Sequence, residues 1–254
     1  MTCGAVIVGA GRGERLGGGI PKCLVEIEGV PLLFITAAPF EAAPEITEIV
    51  LVVPARFKAL ISGRTQTATF HKTVKVVAGG RHRSDSVRNG LAALLSDVRR
   101  VLIHDGARPF VSHALIKRVV DGLGDHKAVC PAIPVSDTLH RDDNGMAVTA
   151  VSREGLVAAQ TPQGFDRREL EEAFKLSAES SQRWTDEIVL VREICGVEAL
   201  IVPGESTNIK LTYPEDFEFH REKLRWLAKN LLRRCQTGRL KAHPHPVKMK
   251  RKQR

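Results

Sequence analysis

Paired cysteines, long apolar runs and aromatic residues are scarce in this sequence of 254 residues. The five cysteines are widely separated and form no Cys-x-x-Cys pair, so the sequence predicts neither a disulfide framework nor a zinc site. No apolar run approaches the roughly 20 residues that span a bilayer. The apolar start at residues 5–8 is too short for a signal peptide. We therefore expect a cytoplasmic protein that has no membrane partner and keeps its cysteines reduced.

The low aromatic content, 5%, means that valine, isoleucine, leucine and alanine must build most of the core. Hydrophobic residues make up 43% of the chain and charged residues 26%, which is typical of globular proteins. The length suits one large α/β domain or two small ones. No internal repeat or linker divides the chain, and we therefore expect a single domain over residues 1–234.

Acidic residues are absent from the last 19 positions, which hold seven lysines and arginines. The other 31 basic residues nearly balance the 29 acidic ones, so most of the formal charge of +9 lies at this end. We expect residues 235–254 to form a disordered basic tail whose role stays open. A protein that binds nucleic acid would need a basic stripe within its fold, and we expect no such partner.

Short β-branched runs alternate with helical patterns along the chain. The predicted strands lie at 5–8, 49–53, 74–77, 101–104, 128–132 and 199–202. The predicted helices lie near 32–42, 84–95, 112–122, 168–178, 186–194 and 215–234. This alternation predicts an α/β fold with one doubly wound, mostly parallel sheet and helices on both faces.

The segment at about 134–158 interrupts this alternation and has no helical period. It contains Asn144-Gly145 between extended runs, which is a strong hairpin signal. We interpret the segment as a β-arm that projects from the sheet. Because arms of this kind often pair two subunits, we expect a homodimer.

A glycine-rich loop with basic residues follows the first predicted strand. Gly9, Gly11 and Gly13 allow tight turns that bring backbone N–H groups against phosphate oxygens. The loop lacks the third glycine of the dinucleotide fingerprint, and the sequence has no P-loop motif. Arg15 and Lys22 stand on this loop, where fixed cations suit a triphosphate whose α-phosphorus oxygens gain charge in the transition state. Elsewhere such a pair would be interpreted as solvated surface charge.

Residues 79–87 read Gly-Gly-Arg-His-Arg-Ser-Asp-Ser-Val and lead from the third strand into a helix. Ser84 or Asp85 can cap that helix. The free N–H groups at its start can bind an anion or the polar edge of a base. An ordinary capped turn would have the same pattern.

Two further charged motifs follow predicted strands. His104-Asp105 ends the fourth strand, where ligands bind in open parallel sheets. Asp105 can hold Mg²⁺, and Arg108 can bind a phosphate or form an ion pair with Asp105. We interpret His104 as a packed strand-end residue. Lys210 alternates with apolar neighbours after the last strand, so we expect it to point across the top of the sheet.

Nothing in the sequence suggests nucleophilic catalysis. It has no Gly-x-Ser-x-Gly motif, and no cysteine lies in a recognisable nucleophile motif. Several basic residues and one acid favour direct phosphoryl-type transfer, in which positioning and electrostatics supply the catalysis.

Taken together and in this order, eight motifs resemble the 2-C-methyl-D-erythritol 4-phosphate cytidylyltransferase family over roughly residues 3–232. The motifs are Gly11-Arg-Gly-Glu-Arg15, Pro21-Lys22, Gly79-Gly80-x-x-Arg83-x-x-Ser86-Val87, His104-Asp-x-Ala-Arg108-Pro109, Asp137-Thr138, Ala159-Gln-Thr-Pro-Gln163, Thr185-Asp186-Glu187 and Asn208-Ile-Lys-x-Thr212. The resemblance implies a Rossmann-like nucleotidyltransferase fold and a homodimer formed through the arm. It also implies CTP and methylerythritol phosphate as substrates, pyrophosphate as a product and a place in non-mevalonate isoprenoid biosynthesis.

The resemblance assigns catalytic roles to particular residues. Arg15 and Lys22 match the residues that stabilise the α-phosphate, and Asp105 matches the Mg²⁺-linked aspartate. Arg153 and Lys210 match the pair that grips the polyol phosphate. In the family the arginine comes from the neighbouring subunit.

The resemblance also assigns binding positions. Those matched to the nucleotide are Ala10, Gly11, Gly13, Gly80, Ser86 and Ala107. Those matched to the acceptor pocket are Arg108, Thr138 and Thr161. The chain departs from the family pattern at Gly9, Cys23, Arg81 and His140.

Two other enzymes remain as alternatives at this point. A ribitol 5-phosphate cytidylyltransferase would share the fold and the chemistry, and only the residues that meet the acceptor would distinguish it. A dinucleotide-dependent oxidoreductase would need a complete glycine fingerprint and an acid after the second strand. The sequence reads Val53-Pro54-Ala55 there and supplies no acid.

Overall fold

A computed structural model describes residues 2–11, 21–67, 70–178, 184 and 186–237. The strands are β1 (Cys3–Val8), β2 (Glu26–Ile27), β3 (Val30–Pro31), β4 (Ile46–Val53), β5 (Thr73–Ala78), β6 (Arg100–Asp105), β7 (Ala128–Pro134), β8 (Leu139–Asp143), β9 (Met146–Val151), β10 (Val157–Ala159), β11 (Gln163–Asp166) and β12 (Ala199–Pro203). The helices are α1 (Leu32–Ala42), α2 (Lys58–Thr67), α3 (Arg83–Ala92), α4 (His113–Gly122), α5 (Arg167–Leu176), α6 (Glu187–Cys195), α7 (Pro214–Phe219) and α8 (Arg221–Thr237). Two short 3-10 helices cover Lys22–Leu24 and Ala55–Phe57.

The main sheet is mostly parallel, as the alternating pattern predicts. Its strands lie side by side in the order β5-β4-β1-β6-β11-β7-β12, and β10 pairs with β7 beyond the end of β11. β5, β4, β1 and β6 run parallel to one another. β11 runs antiparallel to its neighbours β6 and β7, and β12 is parallel to β7. The carboxyl ends of the four parallel strands therefore meet at one edge of the sheet.

Both faces of the central strands are buried, which explains why the strand sequences are apolar without alternation. Along β4, Ile49 and Leu51 pack on one face, whereas Val50 and Val52 pack on the other. The first face is covered by α1, α2, α4 and α8, and the second by α3, α5 and α6. The doubly wound arrangement is thereby confirmed.

The arm forms as the Asn-Gly signal predicts. β8 and β9 pair in antiparallel register as a separate two-stranded sheet. Asn144 and Gly145 both have positive φ, at 52° and 87°, which is the requirement of a type I′ hairpin turn. Most residues of the hairpin are exposed.

Several elements differ from the sequence prediction, among them the short strands β2 and β3, which have no predicted counterpart. The helix expected at 215–234 is two helices, α7 and α8, separated at His220. α2 has no predicted counterpart, because only Ile61 among its described side chains is deeply buried and the apolar pattern is weak. β11 was missed because its sequence, Gln-Gly-Phe-Asp, contains no β-branched residue. Residues 238–254, the greater part of the predicted tail, lie outside the described residues.

Candidate active site

A cleft of about 700 Å³ opens where four parallel strands end. Its described lining comes from the segments that follow β1, β4, β5 and β6, with α3 and two lysines closing the sides. The lining residues are Val8, Gly9, Ala10, Gly11, Lys22, Cys23, Pro54, Ala55, Gly79, Gly80, Arg81, His82, Arg83, Ser86, Asp105, Gly106, Ala107 and Lys210. This is the edge of an open α/β sheet at which ligands bind.

Close backbone approach shapes the wall between the β1 loop and α3. A Cβ on Gly79 would lie 2.2 Å from the Ala10 Cβ and 2.8 Å from the Ser86 Oγ. Only glycine therefore lets the segment after β5 rest against the β1 loop. The Ser86 hydroxyl donates to the His82 carbonyl at 3.1 Å and accepts from the Gly80 N–H at 3.2 Å. These contacts fix the start of α3 beside the cleft, where helix N–H groups favour anions or polar base edges.

Asp105, the last residue of β6, lies on the cleft floor among three cations. The Lys210 Nζ is 2.8 Å from its Oδ2, the Arg83 Nη2 is 3.4 Å from its Oδ1, and the Arg108 Nε is 3.7 Å from its Oδ2. Burial opposes ionisation of this carboxyl, but the neighbouring cations outweigh burial and hold its pKa well below the usual value. Asp105 is thus a fixed negative charge, and the orientation expected for Lys210 is confirmed.

Glu187, the first residue of α6, holds Arg83 from the side opposite Asp105. The Arg83 Nη1 donates to both carboxylate oxygens of Glu187, at 2.7 and 2.5 Å. Burial raises the pKa of the Glu187 carboxyl, and the charge of Arg83 opposes that rise. The pKa of Arg83 lies above its usual value because its two acidic neighbours outweigh its own burial.

A buried hydrogen-bond chain lies directly behind Asp105. The Thr161 Oγ accepts from the Asp105 N–H at 3.1 Å and lies 3.0 Å from the His104 Nδ1. The His104 Nε2 lies 3.1 Å from the Arg108 carbonyl oxygen, so Nε2 carries the proton and Nδ1 accepts from Thr161. Burial lowers the pKa of His104 to about 4, which keeps the ring neutral. The interpretation of His104 as a packed residue is confirmed.

Lys22 also lines the cleft. Its Nζ donates to the Thr212 carbonyl at 2.8 Å, in the segment that also carries Lys210. The Asp216 carboxylate accepts from the N–H groups of Thr212 and Tyr213, which fixes this segment at the start of α7. Both lysines are therefore attached to one ordered stretch of backbone.

Arg108 and Asn208 connect that stretch to the cleft floor. The Arg108 Nη1 donates to the Asn208 carbonyl at 2.7 Å, and the Asn208 Nδ2 donates to the Thr161 carbonyl at 2.8 Å. Arg108 also stands near Asp105, so the ion pair that we considered for it forms. Its guanidinium lies behind the lining of the cleft.

The structure brings most of the predicted site residues together. Those that line the cleft are Ala10, Gly11, Lys22, Gly80, Ser86, Asp105, Ala107 and Lys210. Arg108 and Thr161 support Asp105 from behind. Gly13 and Arg15 lie outside the described residues.

Two predicted residues stand apart from the cleft, on or beside the arm. Arg153 follows β9, is exposed and donates to the Ser136 carbonyl. Thr138 precedes β8 and is also exposed. Neither is among the described residues that line the cleft. Their expected roles stay predictions.

Arg83 and Glu187 belong to the site but were not singled out as site residues. Both residues occur within motifs that resemble the family. They are 104 positions apart in the sequence, however, and neither local sequence identifies the other residue as its partner. A buried acid at the first position of an amphipathic helix would ordinarily be interpreted as a helix-start residue. Only the crossing of α3 and α6 at the sheet edge reveals the pair.

The charge of the cleft suits a polyphosphate. Among its described lining residues, Lys22, Arg81, Arg83 and Lys210 are cationic, and Asp105 is the single acid. Within the described ranges, no group of three or more histidines, cysteines and acids is arranged to hold a metal ion. One carboxylate nevertheless fits Mg²⁺, which commonly binds through one or two carboxylates together with substrate phosphates. The donor set is therefore compatible with a cation that arrives with a triphosphate.

The fold and the cleft define a doubly wound α/β protein with a cation-rich cleft at the carboxyl edge of its sheet. The family model described as 2-C-methyl-D-erythritol 4-phosphate cytidylyltransferase matches residues 3–225. The chain belongs to this family of cytidylyltransferases.

Relatives and solved structures agree with this assignment. The 2-C-methyl-D-erythritol 4-phosphate cytidylyltransferase of Cereibacter sphaeroides is 40% identical and covers 91% of this chain and all of that protein. The enzyme of the same name from Syntrophus aciditrophicus is 37% identical over 84% of this chain and 91% of that protein. The crystal structure of the Thermus thermophilus enzyme matches with a TM-score of 0.73 and 30% identity, and covers 89% of this chain and all of that chain. The 4-diphosphocytidyl-2C-methyl-D-erythritol synthase of Anaerococcus prevotii matches with a TM-score of 0.75 at 30% identity, and covers 87% of this chain and 97% of that chain.

Proposed function

We propose that this chain transfers CMP from CTP to 2-C-methyl-D-erythritol 4-phosphate in isoprenoid biosynthesis. A phosphate oxygen of the acceptor attacks the α-phosphorus of CTP and forms the new P–O bond. The bond from that phosphorus to the bridging oxygen breaks, and pyrophosphate leaves. The products are 4-diphosphocytidyl-2-C-methyl-D-erythritol and pyrophosphate.

The observation that carries this proposal is the arrangement of cations around one buried aspartate beside an open glycine loop. The base and ribose fit the wall formed by Gly80, Ser86 and the β1 loop, whose glycines allow close approach. The triphosphate then extends toward Lys22, which opposes charge on the α-phosphorus oxygens. Arg15 is assigned the same role by the family motif. Lys210 meets the acceptor phosphate, once that phosphate competes with Asp105 for its ammonium group.

Mg²⁺ is part of the proposal as the ion that accompanies the triphosphate. Asp105 would hold it together with phosphate oxygens, since the pKa of this carboxyl is low and the group stays ionised. When bound, the ion neutralises charge on the leaving pyrophosphate. Lys210 would share this carboxylate with the ion, because its ammonium group lies 2.8 Å from the Oδ2.

A second subunit completes the proposed site. The arm carries Arg153 and Thr138 away from the cleft of its own chain, and its exposed apolar side chains include Met146 and Val148. A symmetric dimer would cover such a face and bring each arm to the partner's cleft. The acceptor phosphate would then lie between Lys210 of one subunit and the arginine of the other.

We place the reaction in the cytoplasm. The four cysteines with described side chains are free thiols, and burial raises the pKa of Cys23 to about 12. Thiols of this kind fit a reducing compartment. None of the described helices combines the length and the apolar character required to cross a bilayer.

Pyrophosphate release tests the proposal. The chain is given CTP, UTP, ATP or GTP in turn, each with 2-C-methyl-D-erythritol 4-phosphate or ribitol 5-phosphate. We expect release only with CTP and the methylerythritol acceptor, at a rate that falls when the divalent cation is chelated. Equal or faster turnover with ribitol phosphate would overturn the acceptor assignment, and release with another nucleotide would overturn the choice of CTP.

A further inference from the structure

The buried pair of Arg83 and Glu187 has no assigned role in the reaction just described, yet it lies against Asp105. Glu187 is only 2% exposed and receives two hydrogen bonds from one guanidinium nitrogen, Nη1. The other terminal nitrogen of Arg83, Nη2, faces the Asp105 Oδ1 at the longer distance of 3.4 Å. Arg83 is therefore bound mainly by Glu187 and only secondarily by Asp105.

The position of Glu187 is fixed by its own helix and by the central sheet. Asp186 caps α6 by accepting from the Val189 N–H at 3.0 Å. The other carboxylate oxygen of Asp186 accepts from the Gln163 Nε2 at 3.0 Å, which joins α6 to β11. The carboxylate of Glu187 is thus held by rigid elements and not by a surface loop.

The balance of charge around Asp105 depends on this contact. Three cations surround one carboxylate, and without a second acid they would make the floor strongly positive. A site with that charge attracts phosphate but repels a divalent cation. Glu187 supplies a second negative charge, to which its neighbour Asp186 adds, and draws the guanidinium toward itself, which leaves one side of Asp105 weakly bound.

We propose that Glu187 is a positioning residue that holds Arg83 back from Asp105 and so keeps this carboxylate available to the divalent cation that enters with CTP. The inference rests on the proposed function and adds to it a residue that controls cation affinity. Glu187 does not touch the cation, and it acts only through Arg83.

Removing the charge of Glu187 while keeping its shape tests this proposal. In Glu187→Gln, the full charge of Arg83 should act on Asp105, and Mn²⁺ should bind the enzyme with CTP about tenfold more weakly. Free Mn²⁺ is measured by electron paramagnetic resonance at fixed CTP and without acceptor, so the result does not depend on turnover. The double variant Arg83→Gln/Glu187→Gln removes both charges and should bind Mn²⁺ within threefold of the wild type, or more tightly.

Glu48 provides a matched control. It is 1% exposed, lies on β4 and pairs with Lys75 at 2.8 Å, and it is not among the described residues that line the cleft. Glu48→Gln removes an equally buried, ion-paired charge. It should therefore lower the stability of the fold as Glu187→Gln does, but leave the charges around Asp105 unchanged. We expect it to bind Mn²⁺ as the wild type does.

The outcomes separate this inference from the proposed function. Two results would overturn the inference: Glu187→Gln binds Mn²⁺ as tightly as the wild type does, or the double variant binds Mn²⁺ no more tightly than Glu187→Gln. The second result would indicate a merely structural role, because in that case the losses from the two substitutions add. If Glu187→Gln does not fold, the double variant decides: near-wild-type affinity supports the inference and tenfold weaker binding overturns it. If the proposed function itself is wrong, the wild-type protein will release no pyrophosphate from CTP, which is a different result.

Discussion

The cleft floor and the arm both carry charged residues expected to act on substrate, but they are held in opposite ways. Asp105 is 8% exposed and contacts Arg83, Arg108 and Lys210, each from a different segment of the chain. On the arm, Met146 is 71% exposed and β8 pairs only with β9 among the described strands. The charges of the floor are fixed by contacts within one chain.

The difference indicates how the work of the site is divided. Preorganised charges are effective in catalysis because they need no rearrangement as the reaction proceeds. The floor meets this condition within a single subunit. The arm has a defined turn, but among the described strands β8 and β9 pair only with each other, so we expect a second surface to fix its position. Three experiments test this division.

The largest effect is expected in the cleft. Lys22→Ala removes a cation anchored to the Thr212 carbonyl, and we expect kcat to fall by about 10²–10³ with a smaller change in CTP affinity. Steady-state kinetics with both substrates measures the two effects. Lys229→Ala removes an exposed lysine of α8 and serves as the control. Near-normal turnover in Lys22→Ala would show that Lys22 does not stabilise the transition state.

The next effect concerns the arm. Inactive Arg153→Ala and Lys22→Ala subunits are mixed in equal amounts and allowed to exchange. In a dimer with shared sites, half of the dimers are hybrids and one of their two sites is intact, so about a quarter of wild-type activity should return. Each variant alone, carried through the same exchange, is the control. Native mass spectrometry confirms that the subunits have exchanged. If activity does not return once exchange is confirmed, the result contradicts a shared site.

The smallest effect compares the stability of the two regions. A Cβ on Gly90 would lie 2.3 Å from the Val6 Cγ1, so Gly90→Ala forces α3 away from β1 and should cost roughly 1–3 kcal/mol. Gly145→Ala places a side chain at φ 87° in the arm turn, a local cost of roughly 1–2 kcal/mol. In urea unfolding, Gly90→Ala should lower the free energy of global unfolding by its full cost, whereas Gly145→Ala should lower it little. Equal losses of global stability would mean that the arm unfolds with the core.

Much of the fold could be predicted because its signals are local. The apolar runs around 5–8 and 49–53 are strands buried on both faces, and Asn144-Gly145 forces a turn of one type. β11 could not be predicted, because a short segment with Gly164 acquires its strand character only from β6 and β7 on either side. The break at His220 was missed for a similar reason, since the helical pattern continues across it.

The sequence predicted the residue types of the candidate site but not the contacts between them. Lys22, Asp105 and Lys210 belong to short motifs whose residue types suit phosphate and a divalent cation, and the structure gathers them in one cleft. The partner of Arg83 could not be found in this way. Glu187 lies 104 positions away, and nothing in either local sequence selects the other.

By itself, the sequence determined the order of most strands and helices, the turn of the arm and the presence of lysine and arginine near its glycine loop. These follow from propensity, periodicity and the backbone freedom of glycine, all of which act over a few residues. Only the tertiary structure decided which charges meet. The pKa of Asp105 is low because the cations around it outweigh the effect of its burial, and Arg83 is held by Glu187 through a contact between two distant segments. Both effects depend on distances that no local pattern specifies.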